Sequence, residues 1–285
     1  MSVTALLLVL ASALIHASWN AILKRSRQPE HAVIAGSAVS ATFAVLVALP
    51  FGLDLGRGHA VVWCLVAGVL EAAYFQTLGR ALARGTLGLV YTVSRGGALV
   101  VVWPVSMLVF GEKLTVVHAL GTLFVIAGLA CTGFGAPAKP KESEDAKTSS
   151  AFALAILTGV FIGGYNLAYK KALAGGVTAP TANAISLGFA AMLNLAAIGG
   201  ARRGRALAAL RAEPISIALA GFLGATGFLL FLAALAQIGA GVVVTLRNTS
   251  ILFAQALGYL LGERPSRVAL AGTFAVAAGA VLLTQ

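Results

Sequence analysis

The sequence predicts an all-α membrane protein: ten transmembrane helices, arranged as two inverted five-helix repeats around a central cavity. Three observations lead there. The 285 residues are 59% hydrophobic and only 10% charged, with a mean hydropathy of +0.95. A soluble domain carries roughly 25% charged residues, so this chain lacks the polar surface to stay in water. Apolar runs near the ~20 residues a membrane helix needs recur along it, too long for the ~10-residue alternating strands of an outer-membrane barrel. Landmarks in the first half return, in order, in the second.

The first run, 3–23, begins like a signal peptide, and Ala11-Ser12-Ala13 resembles a cleavage site. It has no basic n-region, and the run continues past that site to Leu23, so it is expected as a retained first helix. Runs at 31–53, 60–83, 87–110 and 114–135 complete a first unit over 1–135. Pro137 to Ser150 is rich in Pro, Ser and charge, so 136–150 is expected as a flexible linker. A second unit over 151–285 holds runs at 151–173, 179–200, 215–237, 240–261 and 266–284. Most connections are short, which makes neighbouring helices antiparallel.

The repeat is visible in small groups. Trp19-Asn20 then Lys24 ends the first helix, and Tyr165-Asn166 then Lys170 ends the sixth. Ala81-Leu82-Ala83 and Ala234-Leu235-Ala236 end the third and eighth. Arg95 to Glu112 matches Arg247 to Glu263, and both stretches close on Gly-Glu. Five helices per unit is an odd number, so the second unit enters the membrane the other way up, a plan common in secondary transporters.

The formal net charge of +11 does not mark a nucleic-acid binder, because Lys and Arg sit in the short gaps between apolar runs. There they orient the chain. Lys24, Arg25, Arg27, Arg80, Arg84, Lys139, Lys141, Lys147, Arg202, Arg203, Arg205, Arg211, Arg264 and Arg267 share one side; Arg57, Lys113, Lys170 and Lys171 share the other. The first side is therefore expected in the cytoplasm and both termini outside. A bacterial inner membrane is the expected location. Cys64 and Cys131 lie within apolar runs and provide no disulfide or metal framework. Nucleophile-elbow, zinc-protease and P-loop signatures are missing, so no catalytic residue, metal or cofactor is expected.

What remains are polar groups at membrane depth. An arginine there costs at least about 2.5–3.5 kcal/mol, which points to function or to a buried partner. Arg95 and Arg247 fall at related positions, and Glu71 is central in its run. Glu71 could pin the third helix to the fourth as an ion pair. One carboxylate cannot neutralise two arginines, which leaves a positive charge for an anionic or carboxylate-bearing ligand. His16 and Asn20 are one helical turn apart; the histidine reads equally as a hydrogen-bonding strut or a proton carrier. Asn20 and Asn166 are helix glue or substrate contacts, and Trp19 and Tyr165 are interfacial aromatics or cavity walls. Tyr91 lies one turn before Arg95; Ser250 and Gln255 follow Arg247 and share the expected cavity. Pro104 is expected to kink the fourth helix.

Trp19-Asn20-x-x-x-Lys24 with Tyr165-Asn166-x-x-x-Lys170, the Ala-Leu helix ends, and Gly-Glu at 111–112 and 262–263 resemble the EamA-type transporters of the drug/metabolite transporter superfamily. The resemblance spans nearly the whole chain as two tandem five-helix units. It implies ten helices around a cavity, alternating access, and a substrate among amino acids, other metabolites or drugs. The expected activity is secondary transport of a small polar or anionic metabolite. Glu71 and His16 are the candidate sites for a coupling proton. The competing readings are an exporter of lipophilic cations, which the positive sum of deep charges disfavours, and a lipid-carrier flippase. The expected partners are the lipid bilayer, an anionic or zwitterionic small molecule and a second copy of the chain.

Overall fold

The computed structural model describes residues 2–82, 84, 87–134, 145–260 and 266–285, and these are helical with no strand among them. Helices α1 (Val3–Lys24), α2 (Pro29–Ala48), α3 (Ala60–Leu82), α4 (Leu87–Phe110) and α5 (Val116–Phe134) make up the first half. The second half holds α6 (Asp145–Ala174), α7 (Ala179–Ala197), α8 (Gly200–Ala212), α9 (Pro214–Gln237), α10 (Ala240–Arg247), α11 (Ser250–Leu260) and α12 (Arg267–Leu282). Starts follow ordinary rules: Ser2 and Ser266 cap α1 and α12 through their hydroxyls, and Pro stands in the first turn of α2, α7 and α9.

Four features differ from the sequence reading. The expected linker 136–150 is helical from Asp145 onward, because α6 begins there; residues 135–144 lie outside the described set. The basic stretch after α7 folds as α8, with Ala206 and Ala209 buried and its four arginines on the outside. The expected helix 240–261 is broken into α10 and α11. Finally, among the described residues seven stretches are long and apolar enough to cross a membrane: in α1, α2, α3, α4, α6, α9 and across α10–α11. α5 and α12 hold shorter apolar stretches. α7 buries Thr181, Asn183, Ser186 and Asn194, which lowers its apolarity. At Pro104, α4 runs on without interruption.

Packing is between small residues, as lipid-embedded helices require when apolar contact alone gives no preference over lipid. α5 lies against α12 so closely that a Cβ on Gly128 would stand 2.5 Å from the Gly272 carbonyl oxygen, and one on Gly279 2.5 Å from that of Gly121. α3 packs on α6, and α1 on α9; α3 also packs on α7, and α2 on α9. Two serines tie these contacts: Ser186 Oγ donates to the Cys64 carbonyl at 2.8 Å and Ser40 Oγ to that of Gly221 at 2.9 Å. α4 seats on α6 through Gly159 and Gly163. The helices so arranged leave a cavity between α1, α2, α3, α6, α7, α9 and α10.

Candidate functional site: a charged cavity beside a broken helix

The cavity is open to solvent, and its empty space, open solvent included, comes to about 600 Å³. His16, Trp19 and Leu23 of α1, Ser37 and Ser40 of α2, Glu71, Tyr74 and Phe75 of α3, Tyr165 of α6, Phe228 of α9 and Arg247 of α10 contribute to its wall. Val33, near the start of α2, joins Leu23, near the end of α1, in that wall.

Arg247 is the last residue of α10 and only 5% exposed. Its guanidinium lies 4.2 Å from the centre of the Phe231 ring and 4.8 Å from that of Phe228. Such stacking on desolvated rings is worth about 2 kcal/mol, too little to replace the hydration of a buried cation. Its Nε has no hydrogen-bond partner. The next two residues repeat the pattern: Asn248 Nδ2 and Thr249 Oγ1 are buried and unpartnered. They also form the break. Asn248 N–H reaches back to the Thr245 carbonyl, Thr249 to Leu246, Ile251 to Asn248 and Leu252 to Thr249, all three residues back rather than four. Three successive residues thus hold unspent polar atoms inside the protein, an arrangement that costs roughly 1–3 kcal/mol per group.

Arg95 sits differently. It is half-buried on the continuous α4, absent from the cavity wall, and its Nη2 contacts Nε2 of His16. Trp19 Nε1 donates to His16 Nδ1 at 3.2 Å, so Trp19 is a wall residue that orients the imidazole. Glu71, 2% exposed, accepts a hydrogen bond from Tyr169 Oη at 2.9 Å. That partner, rather than an arginine, holds the carboxylate. Tyr165 is buried and meets Tyr74, Phe228 and Tyr169 ring to ring at 5.7–6.2 Å, which makes it a cavity wall.

The remaining expected residues are not gathered at the cavity. Asn20 and Asn166 turn their amides back to their own helices, to the His16 and Ile162 carbonyls at 2.7 and 2.8 Å. Asn166 Oδ1 stays buried without a partner. Ser250 and Gln255 are half-buried on α11 and do not line the wall. The side chain of Tyr91 lies outside the described set, as do Gly262 and Glu263. Tyr169, Phe228, Phe231, Asn248 and Thr249 are the neighbours that sequence reasoning missed. Only Asn248-Thr249-Ser250 carried a signal, three residues in a row whose side chains compete for backbone hydrogen bonds.

Outside the cavity wall, several contacts fix the start of α10. Glu112, just past α4, receives the first N–H groups of α10: Ala240 on Oε1 at 2.6 Å and Gly241 on Oε2 at 3.1 Å. Lys170 Nζ donates to the carbonyls of Leu235 and Ile238 at 2.8 Å each, at the other side of the same α9–α10 turn. Trp103 lies under Gly241 and donates to Thr245 Oγ1 at 3.2 Å. An anionic cap on a helix start and a cationic cap on a helix end both complement the dipole.

Fold and site define a multi-pass helical membrane protein that keeps charge in a central cavity. Residues 149–285 match the model of the EamA-like transporter family. No curated protein matches the chain. One solved crystal structure, described only as that of a protein, shares the fold at a TM-score of 0.66 and 17% identity, over 100% of this chain and 97% of its own. The second half of the chain is thus similar to the EamA-like transporters.

Proposed function

We propose that the chain is a secondary transporter that carries a small polar metabolite with an anionic group by alternating access, its substrate held at the α10–α11 break. The observation that carries this reading is the run of unspent donors at Arg247, Asn248 and Thr249. A carboxylate or phosphate on Arg247 and its neighbours would satisfy what the protein leaves unsatisfied. A lipophilic cation would add repulsion from Arg247 instead.

Matched packing supports an inverted repeat. Exchanging α1 with α6, α2 with α7, α3 with α9 and α4 with α10–α11 converts the α3–α6 contact into α1–α9, and α3–α7 into α2–α9. We read the Leu23 and Val33 end of the cavity as its mouth, on the arginine-rich side that the charge count makes cytoplasmic. Glu112, Lys170 and Trp103 then shut the outer side. Proton coupling has a local rationale at His16. Arg95 and Trp19 are both pure donors, and one stands at each ring nitrogen. A neutral imidazole accepts from only one of them and a doubly protonated one from neither, and the added positive charge would repel Arg95 toward an anion, the substrate or Glu71.

The test is a thermal-shift panel on protein purified in detergent, with amino acids, carboxylates, phosphonates, sugars and lipophilic cations, on wild type and Arg247→Gln. A ligand stabilises the fold according to its occupancy. An anionic or zwitterionic hit that disappears in the variant is the expected result. Hits confined to cations and indifferent to the variant would overturn the proposal in favour of a cation exporter.

A further inference from the structure

A second, open cavity, whose empty space with open solvent included is about 410 Å³, adjoins the first, with Phe75 in the wall of both. It lies between the end of α3 and the end of α7, and Gln76, Arg80, Asn194 and Arg202 supply its polar wall. Nothing in the transport reading uses it. Arg80 and Arg202 are exposed, and no acid lines this cavity. Asn194 is 2% exposed. Its Oδ1 accepts from Gln76 Nε2 at 3.2 Å, and its Nδ2 is buried with no partner. Turned either way, the two amides share one hydrogen bond and keep N–H groups unspent. The neighbouring Arg203 does not compete for the space, because it donates to the carbonyls of Ile198 and Ala196.

We infer that this second cavity is a phosphate-binding site, in which Arg80, Arg202 and the Gln76–Asn194 amide pair hold a phosphomonoester or inorganic phosphate. The choice of phosphate follows from charge. Two arginines line the space, and no acid is among its described lining residues. A carboxylate would neutralise one of them, whereas a phosphate dianion meets both, with oxygens to spare for an amide N–H. Exposed arginines alone would be a solvated surface; the buried, unpartnered amide is what makes this a built site. Two sources offer the same chemistry: a free phosphate compound approaching the mouth of the central cavity, or the headgroup of a phosphatidic-acid-like lipid at the interface.

Wild type, Arg80→Gln/Arg202→Gln and Arg247→Gln are purified in detergent and melted with 10 mM inorganic phosphate or 10 mM chloride. In parallel, each is reconstituted into phosphatidylcholine nanodiscs with and without phosphatidic acid, and retained lipid is read by native mass spectrometry. For a free source, phosphate raises the wild-type Tm by about 2–4 °C, an effect kept in Arg247→Gln and lost in the double variant. For a lipid source, phosphatidic acid is retained by wild type and Arg247→Gln and lost from the double variant. Because both arginines are exposed, the double variant should fold; Arg80→Lys/Arg202→Lys, which keeps the charge and removes the forks, should recover part of the binding. Phosphate and lipid effects that persist in the double variant, or that are absent from wild type, would overturn the inference. Loss in Arg247→Gln with retention in the double variant would move the phosphate to the central cavity, and so overturn this site while supporting the transport reading.

Discussion

Two arginines stand at related positions in the two halves, and their surroundings have diverged. Arg95 belongs to an unbroken helix packed on α6, and it is engaged by His16. Arg247 ends a two-turn helix, stacks on two phenylalanines and leaves its Nε unspent. The flanking residues diverge in the same way. α4 continues through Gly96-Gly97, and Gly97 lies against Gly159 of α6, whereas the matching positions after Arg247 are Asn248 and Thr249, whose buried side chains have no partner. The lesson is that a repeated charge need not carry a repeated role. One arginine contacts a histidine; the other keeps a buried Nε with no hydrogen-bond partner.

The comparison breaks most directly by mutation. Arg247→Gln should lower transport in proteoliposomes by about 10²-fold or more, since losing one partner of a buried charged contact costs roughly 2–5 kcal/mol. Arg95→Gln should cost about tenfold, acting through His16, and it should change the pH profile of uptake where Arg247→Gln changes its magnitude. Equal losses with identical pH profiles would show that the two arginines work as one unit.

Asn248→Ala sharpens the comparison next. It removes a buried amide with no partner and raises helix propensity at the break, together worth about 1 kcal/mol. For a chain of this size, Tm should rise by about 2 °C. Uptake should fall about tenfold, because the break is rebuilt as ordinary helix. Stability lost at a functional site and regained on its removal is the expected trade. A variant that is both less stable and fully active would mean that Asn248 has a partner in the working protein and no role in transport.

Most of the helical framework was legible in the sequence, for a simple reason. A run such as 60–83 must be helical to satisfy its backbone in lipid, so composition alone dictates the element. Where composition mixes, that reasoning fails. α8 was missed because Arg202, Arg203, Arg205 and Arg211 make its stretch read as a loop, although Ala206, Ala209 and Leu210 have helical spacing. The α10–α11 break was missed because the hydropathy of 240–257 runs straight across it, with no Gly or Pro at the joint. In the site, Glu71, Arg247 and His16 could be picked out because charge at depth is rare. Tyr169 and Phe228 could not: an aromatic in an apolar run is ordinary, and what distinguishes these two is a contact across distant segments. The same holds for Asn20 and Asn166, whose amides the sequence leaves free to go anywhere and the fold returns to their own helices.

At the end proposed to be closed, Glu112→Gln tests whether the capped α10 start keeps that face shut. The variant retains one acceptor but loses the charge, a cost of about 1 kcal/mol in the capped state. A shift of that size corresponds to about fivefold more opening, read as faster maleimide labelling of Val242→Cys. An unchanged rate would remove Glu112 from the closure. Lys170→Met should act in the same direction, because its ammonium holds the other side of the same turn.

The smallest effect concerns pH. Glu213 precedes α9 and joins the α8–α9 turn to the α1–α2 loop by accepting the Arg27 N–H at 3.0 Å. That backbone bond, with help from the Ser26 hydroxyl, holds its carboxyl below the ordinary value of 4.5. A carboxyl lowered in the folded state adds stability that is complete above its unfolded pKa and fades as pH falls through the folded one. Wild type should therefore lose Tm on acidification below about pH 4.5 slightly faster than Glu213→Gln, whose amide does not titrate there. The difference must be small, because the carboxyl is exposed and water screens it. Parallel melting curves for the two proteins between pH 3 and pH 6 would show that the loop contact carries no charge-dependent part. The comparison with Arg247 would then be sharper, since a charged group open to solvent would contribute nothing measurable while the buried one decides transport.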